Sequence, residues 1–469
     1  MRPESVTPDV VGRRTRAGLP LTANGIHTLA NPVHCRRHGA SVKQMRMSVL
    51  QNAQPTTDAR SFLSYKWEMI ALLWFAYCFN QADRQIFNVV LPLIKADLRL
   101  SDVQLGLIAS IFTGIFAVLV PLAGYAGDVL RRKWIVFGSL LFWSTATLFT
   151  GVSTCFMHLV FFRSVTTGGG EAFYFPSATS LIGQIHQSTR ALAISIHQTS
   201  VYAGLVASGF LAGYIGERFG WRMAFFVFGV FGIAFSLIVF ARLRDTPHAG
   251  PPEQTRVSLK SAVVEILRKP TVIALFIAYG GRIFANIGFL TWMPTLLHEK
   301  FHLSLAQAGF SSMFYYCVTA MVGTLLGGKL SDRWAQRRRT VRLETQLFGL
   351  AVAAPFVWLM GFTDNLPLCL AGLAGFGFFT GIYDSNQIAG LFDVIPPRVR
   401  SSSIGMMVAF GFAVGALAPV LLGWVKETHG LTLGISAMSV VYLAAAGSVL
   451  VAVKAFFSKD YYTETTNSN

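Results

Sequence analysis

What most limits the folding of this chain is a series of about twelve apolar runs beginning near Lys66, each long enough to cross a bilayer core roughly 30 Å thick. They cover approximately 66–94, 103–127, 134–152, 156–184, 190–215, 221–241, 271–297, 305–330, 341–361, 366–392, 400–424 and 431–456. In hydrocarbon a backbone must satisfy its own N–H and C=O groups, so runs of this length read as helices. Composition agrees. The chain is 53% hydrophobic and 13% charged, with mean hydropathy +0.51, whereas a soluble chain carries roughly a quarter charged residues. The expected fold class is an all-α membrane protein, with twelve transmembrane helices in two pseudo-symmetric six-helix bundles.

Two acidic–basic boxes carry the evidence for duplication. Gly124 and Asp128 precede Arg131-Arg132-Lys133, and Gly328 and Asp332 precede Arg333 and Arg337-Arg338-Arg339. A G-x-x-x-D step closed by a basic cluster, met once in each half, marks two copies of one membrane unit. That is the pattern of carriers that rock one half against the other. The longest polar break, 242–270, separates six runs from six. The expected organisation is a basic, disordered extension (1–60), an N-terminal six-helix bundle (61–241), a cytoplasmic linker (242–270), a C-terminal bundle (271–457) and a cytoplasmic tail (458–469).

The net charge of +17 and pI near 9.9 come from short basic clusters between apolar runs. That placement suits anionic lipid and topology control, and excludes a nucleic-acid partner from the reading. Basic residues recur in the loops after spans 2, 4, 6, 8 and 10, for example Arg242 with Arg244 and Arg398 with Arg400. By the positive-inside rule both termini face the cytoplasm. Residues 1–60 are Arg-rich and acid-poor, which fits a transit peptide or an upstream start with Met45 or Met47 as the working initiator; no signal-peptide apolar region is read there. The five scattered cysteines point to neither a disulfide framework nor zinc. No phosphate-cradling loop, metal-ligand spacing or nucleophile motif is present, so no enzyme activity, cofactor or metal is expected.

A charge at bilayer depth costs about 2.5–3.5 kcal/mol even on lenient scales, so intramembrane ionisable residues are functional candidates. Span 1 holds Asp83, Arg84 and Asn88. Span 4 holds Arg163, then Gly168-Gly169-Gly170-Glu171 and Tyr174. Span 5 holds His197 and Gln198, span 7 holds Arg282 and Asn286, and span 10 holds Asp384, Asn386 and Gln387. Asp83 and Arg84 point about 100° apart on a helix, so one faces the substrate path and the other a neighbouring helix. A guanidinium binds carboxylate or phosphate with two parallel hydrogen bonds. Arg84 is therefore assigned to the path, and Asp83 is either a proton carrier or a packing partner of Arg163. Glu171, after three glycines, is a proton carrier or a permanent ion-pair member. Arg282 and Asn286 echo Arg84 and Asn88 in spacing, which would bring two arginines to a central anion. His197 is either a ligand contact or a hydrogen-bonded packing residue. Asp128 and Asp332, with Arg132 and Arg333, read as latches at the cytoplasmic side.

Through the paired loop boxes the chain resembles the major facilitator superfamily from about Lys66 to Phe457. Within it, Asp83-Arg84, Gly170-Glu171-Ala172 with Phe175-Pro176, Asn286 to Pro294 and Gly405 to Pro419 are similar to the anion:cation symporter family. That resemblance implies import of organic anions such as sugar acids, with Arg84 on the anion and Asp83 and Glu171 handling protons. Asn286 stands where sugar-phosphate members carry an arginine, which favours a carboxylate. Pro121 to Asp128 is similar to the spinster-like lipid transporters, so an exporter of lysolipid or amphipathic drugs is the alternative. The expected function is proton-coupled symport of a small organic anion, a hexuronate or aldonate. Candidate substrate contacts are Arg84, Asn88, Tyr174, His197, Gln198, Arg282, Asn286 and Asn386; Asp83, Glu171 and Arg163 couple protons. The expected partners are the anion, protons and membrane lipids, a monomer suffices, and the expected location is a bacterial inner membrane.

Overall fold

The apolar runs fold as helices because nothing else satisfies their backbones in hydrocarbon. A computed structural model describes residues 57–186, 189–244 and 259–462. Expectations for 1–56, the centre of the linker (245–258) and the end of the tail (463–469) lie outside the described residues. The chain divides into Met1–Ser61 and Phe62–Asn469. Of the first unit only the helical residues 57–61 are described, and the remaining observations concern the second.

We number the principal helices α1 Thr57–Val89, α2 Asp102–Val129, α3 Arg132–Thr150, α4 (in pieces from Phe156 to Ile185), α5 Arg190–Phe219 and α6 Trp221–Arg242. The second set is α7 Pro270–Phe301, α8 Leu305–Ala335, α9 Val341–Phe362, α10 (Leu366–Asp384 and Gln387–Phe392), α11 (Arg400–Gly415 and Leu417–His429) and α12 Leu431–Val451. Among the described residues, nine spans are long and apolar enough to cross a membrane. The segments that fall short are α1, α3 and α4. α1 carries Asn80, Gln81, Asp83, Arg84 and Gln85 in mid-helix, α3 is a 19-residue helix opening on Arg132-Lys133, and α4 is interrupted.

The interruption in α4 is a π-helical stretch, Val160–Thr167, followed by Gly168–Glu171. Thr166 and Thr167 hydroxyls donate to the carbonyls five residues back, Phe161 and Phe162, at 2.7 and 2.9 Å. Such bulges commonly mark functional positions. Here the stretch contains Arg163 and precedes Glu171, so it resets their angular relation. α11 breaks at Ala416 because Pro419 has no N–H to return to Gly415.

The two bundles meet through α2 with α11 and α5 with α8, and the sequence prepares both seams alike. Leu100-Ser101-Asp-Val-Gln104-Leu-Gly106 and Leu303-Ser304-Leu-Ala-Gln307-Ala-Gly309 start α2 and α8 with the same capping box. The glycines that follow allow backbones to touch. A Cβ on Gly309 would strike the Gly209 carbonyl oxygen, and one on Gly106 would strike that of Pro419. Gly213-x-x-x-Glu217-x-x-Gly220 and Gly423-x-x-x-Glu427-x-x-Gly430 end α5 and α11. Gly220 (φ +85°) and Gly430 (φ +89°) turn the chain in a conformation open to glycine. Outside the membrane-spanning segments, Asp97 accepts hydrogen bonds from Arg222 and from Trp221 Nε1 (3.1 Å), tying two loops of the N-terminal bundle. Those donors hold its carboxyl below the ordinary carboxylate range.

Candidate functional site

α1 places Asp83 and Arg84 on different faces, as the 100° step requires. Asp83 points between helices and is 4% exposed; Thr147 Oγ1 of α3 lies 2.8 and 2.7 Å from its two carboxylate oxygens, and Arg163 Nη1 of α4 is 3.8 Å away. Arg84 points the other way and pairs through Nε with Glu171 of α4. Its side chain keeps 21% exposure while that of Glu171 has none. Arg163 is buried too and donates from Nη2 to the Arg84 carbonyl at 2.9 Å. Four charges therefore interlock inside the N-terminal bundle: two carboxylates and two guanidiniums, with only Arg84 partly open.

Aromatic rings frame this cluster. The Arg84 guanidinium lies 4.2 Å from the Phe116 ring and 5.5 Å from that of Phe112, and Arg163 lies 4.6 Å from Phe112. Water is kept from one face of each guanidinium, which strengthens whatever ionic partner it holds. Glu171 Oε1 has no hydrogen-bond partner.

The C-terminal bundle carries its own ion pair. Arg282 Nη2 of α7 meets Asp384 Oδ2 of α10, with side-chain exposures of 13% and 25%. Asn286, one turn on, donates to the Tyr316 hydroxyl at 2.8 Å. Asn88 is half-buried and donates to Gln85 Oε1 at 3.1 Å, and Gln85 reaches across to the Leu290 carbonyl of α7 at 3.4 Å.

The remaining candidates are dispersed. Tyr174 is sealed, with its hydroxyl donating to the Leu73 carbonyl at 2.7 Å. His197 is buried, stacked on Tyr77 at 4.8 Å, with Nε2 3.4 Å from the Tyr174 hydroxyl. Gln198 is exposed on α5. Asn386 is 2% exposed, accepting from Ser331 at 2.6 Å and so linking α10 to α8 beside the second loop box. In that box Asp332 and Arg333 are exposed, and Asp332 lies 3.9 Å from Arg342 rather than against the arginines that follow it in sequence. Arg132 is half-buried; the burial of Gly124 and the side chain of Asp128 lie outside the described residues.

Sequence reasoning missed the seam between the bundles, where polar side chains of each close on the other. Lys426 of α11 bridges Asp102 of α2 (3.1 Å) and Glu299 (2.7 Å), and Lys95 adds a second contact to Asp102 at 2.6 Å. Glu427 accepts from Val103 N at 3.0 Å, capping the start of α2, and Glu217 accepts from Leu305 N at 2.5 Å, capping the start of α8. Each bundle thus supplies the carboxylate that caps a helix N-terminus of the other. The repeated Ser-x-x-Gln-x-Gly and Gly-x-x-x-Glu-x-x-Gly strings were the available signal. Both seams lie at the end of the molecule away from the arginine-rich boxes.

Two interlocked helical bundles with charge clusters at their midplane match known proteins in the same terms. The profile of the Major Facilitator Superfamily matches residues 73–419. A hexuronate transporter of Bacillus subtilis is 25% identical over 384 residues, covering 79% of this chain and 90% of the relative. A probable galactarate/D-glucarate transporter of Escherichia coli is 24% identical over 449 residues, 86% and 98% of the two chains. A spinster homologue of Xenopus tropicalis is 26% identical over 393 residues, covering 78% and 74%. Among solved structures, a bacterial homologue of the human lysosomal transporter spinster, inward-facing and unoccupied, superposes with a TM-score of 0.73 at 22% identity, covering 85% of this chain and 99% of that one. Fold, duplication and profile coincide over most of the sequence: the chain is a multi-pass integral membrane transporter and belongs to the Major Facilitator Superfamily.

Proposed function

We propose that this transporter carries a small organic anion together with a proton, the anion pairing with Arg84 and the proton residing on Glu171. The observation that supports this most is the Arg84–Glu171 ion pair, in which the guanidinium is partly open and the carboxylate is sealed. Charge accounting supplies the mechanism. With Asp83, Arg84, Arg163 and Glu171 all ionised, the empty site sums to zero. Protonation of Glu171 releases Arg84, and an anion then replaces the lost carboxylate, so the loaded site also sums to zero. A site with proton alone or anion alone carries a unit charge, which costs about 2.5–3.5 kcal/mol at membrane depth. Empty and fully loaded carriers cross between states, and half-loaded ones are held back. No covalent chemistry is needed, only differential binding.

The substrate class we favour is a sugar acid, a hexuronate or aldonate, in line with the hexuronate transporter of Bacillus subtilis; the probable galactarate/D-glucarate transporter of Escherichia coli is named for sugar acids with a second carboxylate. With both termini in the cytoplasm, as the positive-inside rule gives, the capped seams are external and the conformation is inward-facing. Asp128, Arg132, Asp332 and Arg333 would then close the cytoplasmic side in the opposite state. A bacterial inner membrane would supply the proton gradient, and a single chain holds the whole path. Uptake of labelled glucuronate and gluconate into proteoliposomes under an imposed pH gradient tests the reading; uptake indifferent to that gradient would refute coupling.

A second reading, export of lysolipids or amphipathic compounds, has one favouring observation. Phe112 and Phe116 give Arg84 an aromatic wall suited to a ligand with both charge and an apolar body. Competition decides between them: displacement of bound ligand by lysolipid and not by glucuronate would favour the exporter.

A further inference from the structure

We propose that Arg282 and Asp384 form a second anion- and proton-exchange site, and that the preferred substrate is a dicarboxylate whose two ends are taken by Arg84 and Arg282. The inference rests on the symport reading above and, among sugar acids, selects the dicarboxylates over the monocarboxylic hexuronates and aldonates. Each bundle holds one arginine on its first helix, paired with a carboxylate from a helix packed beside it, α4 in one half and α10 in the other. In both pairs the arginine keeps some exposure, and one carboxylate oxygen, Glu171 Oε1 or Asp384 Oδ1, lacks a hydrogen-bond partner. In each pair that oxygen is an acceptor on which a proton can reside. The groups acting on the second pair are Tyr279 of α7, Tyr316 of α8, Tyr383 of α10, Tyr442 of α12 and, from the opposite bundle, Tyr202 of α5. Among them is no further carboxylate or base, so Asp384 alone answers Arg282. The Gln85–Leu290 contact sets α7 against α1 of the opposite bundle, so the pair stands on a helix at the interface between the bundles.

Geometry limits the ligand. Gln85, next to Arg84, touches Leu290, eight residues beyond Arg282 on α7. At 1.5 Å per residue the two arginines are staggered by about 10 Å along the path. Charge-assisted hydrogen bonds occupy roughly 3 Å at each end. With both side chains extended across the path at that stagger, the two carboxylates stand roughly 4 Å or more apart, the spacing of a roughly four- to six-carbon diacid. Charge accounting extends unchanged: a dianion with protons on Glu171 and Asp384 leaves both sites at zero, and a dianion with one proton does not.

The test compares an aldarate with the aldonate of equal carbon number in proteoliposomes, with membrane potential set independently of pH. Wild-type aldarate uptake is expected to follow the pH gradient and ignore potential, since two protons travel with two negative charges. Asp384→Asn is expected to keep aldarate exchange but to slow net uptake at least tenfold and make it opposed by an inside-negative potential. Asp384→Glu, which retains a titratable group, is expected to restore potential-independence and to show that the site folds. If Asp384→Asn leaves aldarate uptake potential-independent, or Arg282→Gln weakens aldonate and aldarate equally, the second site is overturned while symport stands. If wild-type protein takes up neither acid, the symport reading falls and this inference with it.

Discussion

Replacing Glu171 by Gln keeps the shape of the side chain and deletes the charge that neutralises Arg84. Asp83 and Arg163 still balance each other, so the empty variant carries one uncompensated positive charge at the midplane. Glu171 is 2% exposed and Arg84 is backed by Phe112 and Phe116, so little water is at hand to screen it. Moving that charge through the occluded state costs about 2.5–3.5 kcal/mol. At roughly 1.4 kcal/mol per tenfold, return of the empty carrier slows about 70- to 400-fold. With an anion on Arg84 the variant site is neutral, so the loaded carrier still moves. The assay is paired: net uptake under a pH gradient, and counterflow into vesicles preloaded with unlabelled anion. Glu171→Gln is expected to lose net uptake by about two orders of magnitude while counterflow stays within a few-fold of wild type. Net uptake near the wild-type rate, or loss of both activities in protein that still binds anion, would refute the charge accounting.

Other substitutions probe the parts around that switch. Lys426→Ala removes the bridge between Asp102 and Glu299. A hydrogen bond to a charged group contributes about 1.5–3 kcal/mol, so opening of the Asp102 end should rise tenfold or more, read by thiol labelling of a cysteine placed beneath the seam. Thr147→Val strips Asp83 of its hydroxyl donor and should cost about 1–3 kcal/mol of stability in melting experiments, with Thr147→Ser nearly neutral. Asp97 is held below the usual carboxylate range by Arg222 and Trp221. Its contribution is present above the unfolded value of about 3.9 and is lost as pH falls through the lower folded one. Asp97→Asn should accordingly lower the melting temperature modestly at neutral pH, flatten the acid limb of the profile and change little below the folded value.

Much of this was legible in the sequence because charges are scarce in an apolar chain. Asp83, Arg84, Arg163, Glu171 and Arg282 stood out against long Leu, Val and Phe runs, and the midplane clusters contain all of them. The roughly 100° step correctly separated Asp83 from Arg84. Pairing was less accessible. Which carboxylate faces which arginine depends on the π-helical stretch at Val160–Thr167, and no residue in that stretch announces the extra turn width. Thr147, Phe112 and Phe116 look like ordinary apolar-run residues, and only packing brings them to the charges. Asp384 was visible as an intramembrane acid, but its partner lies 102 positions away. The capping of α2 by Glu427 and of α8 by Glu217 also depends on long-range contacts, though the two repeated strings could have been found by aligning the halves.

At the centre of the mechanism an anion takes Arg84 from Glu171, and a proton takes Arg84's former place on Glu171. Calorimetric titration of the purified transporter with glucuronate, repeated in buffers of different ionisation enthalpy, counts protons taken up per anion bound. The account predicts about one proton for a monocarboxylate at neutral pH, and none in Glu171→Gln. Binding that takes up no proton in the wild type, or the same number in both proteins, would contradict it.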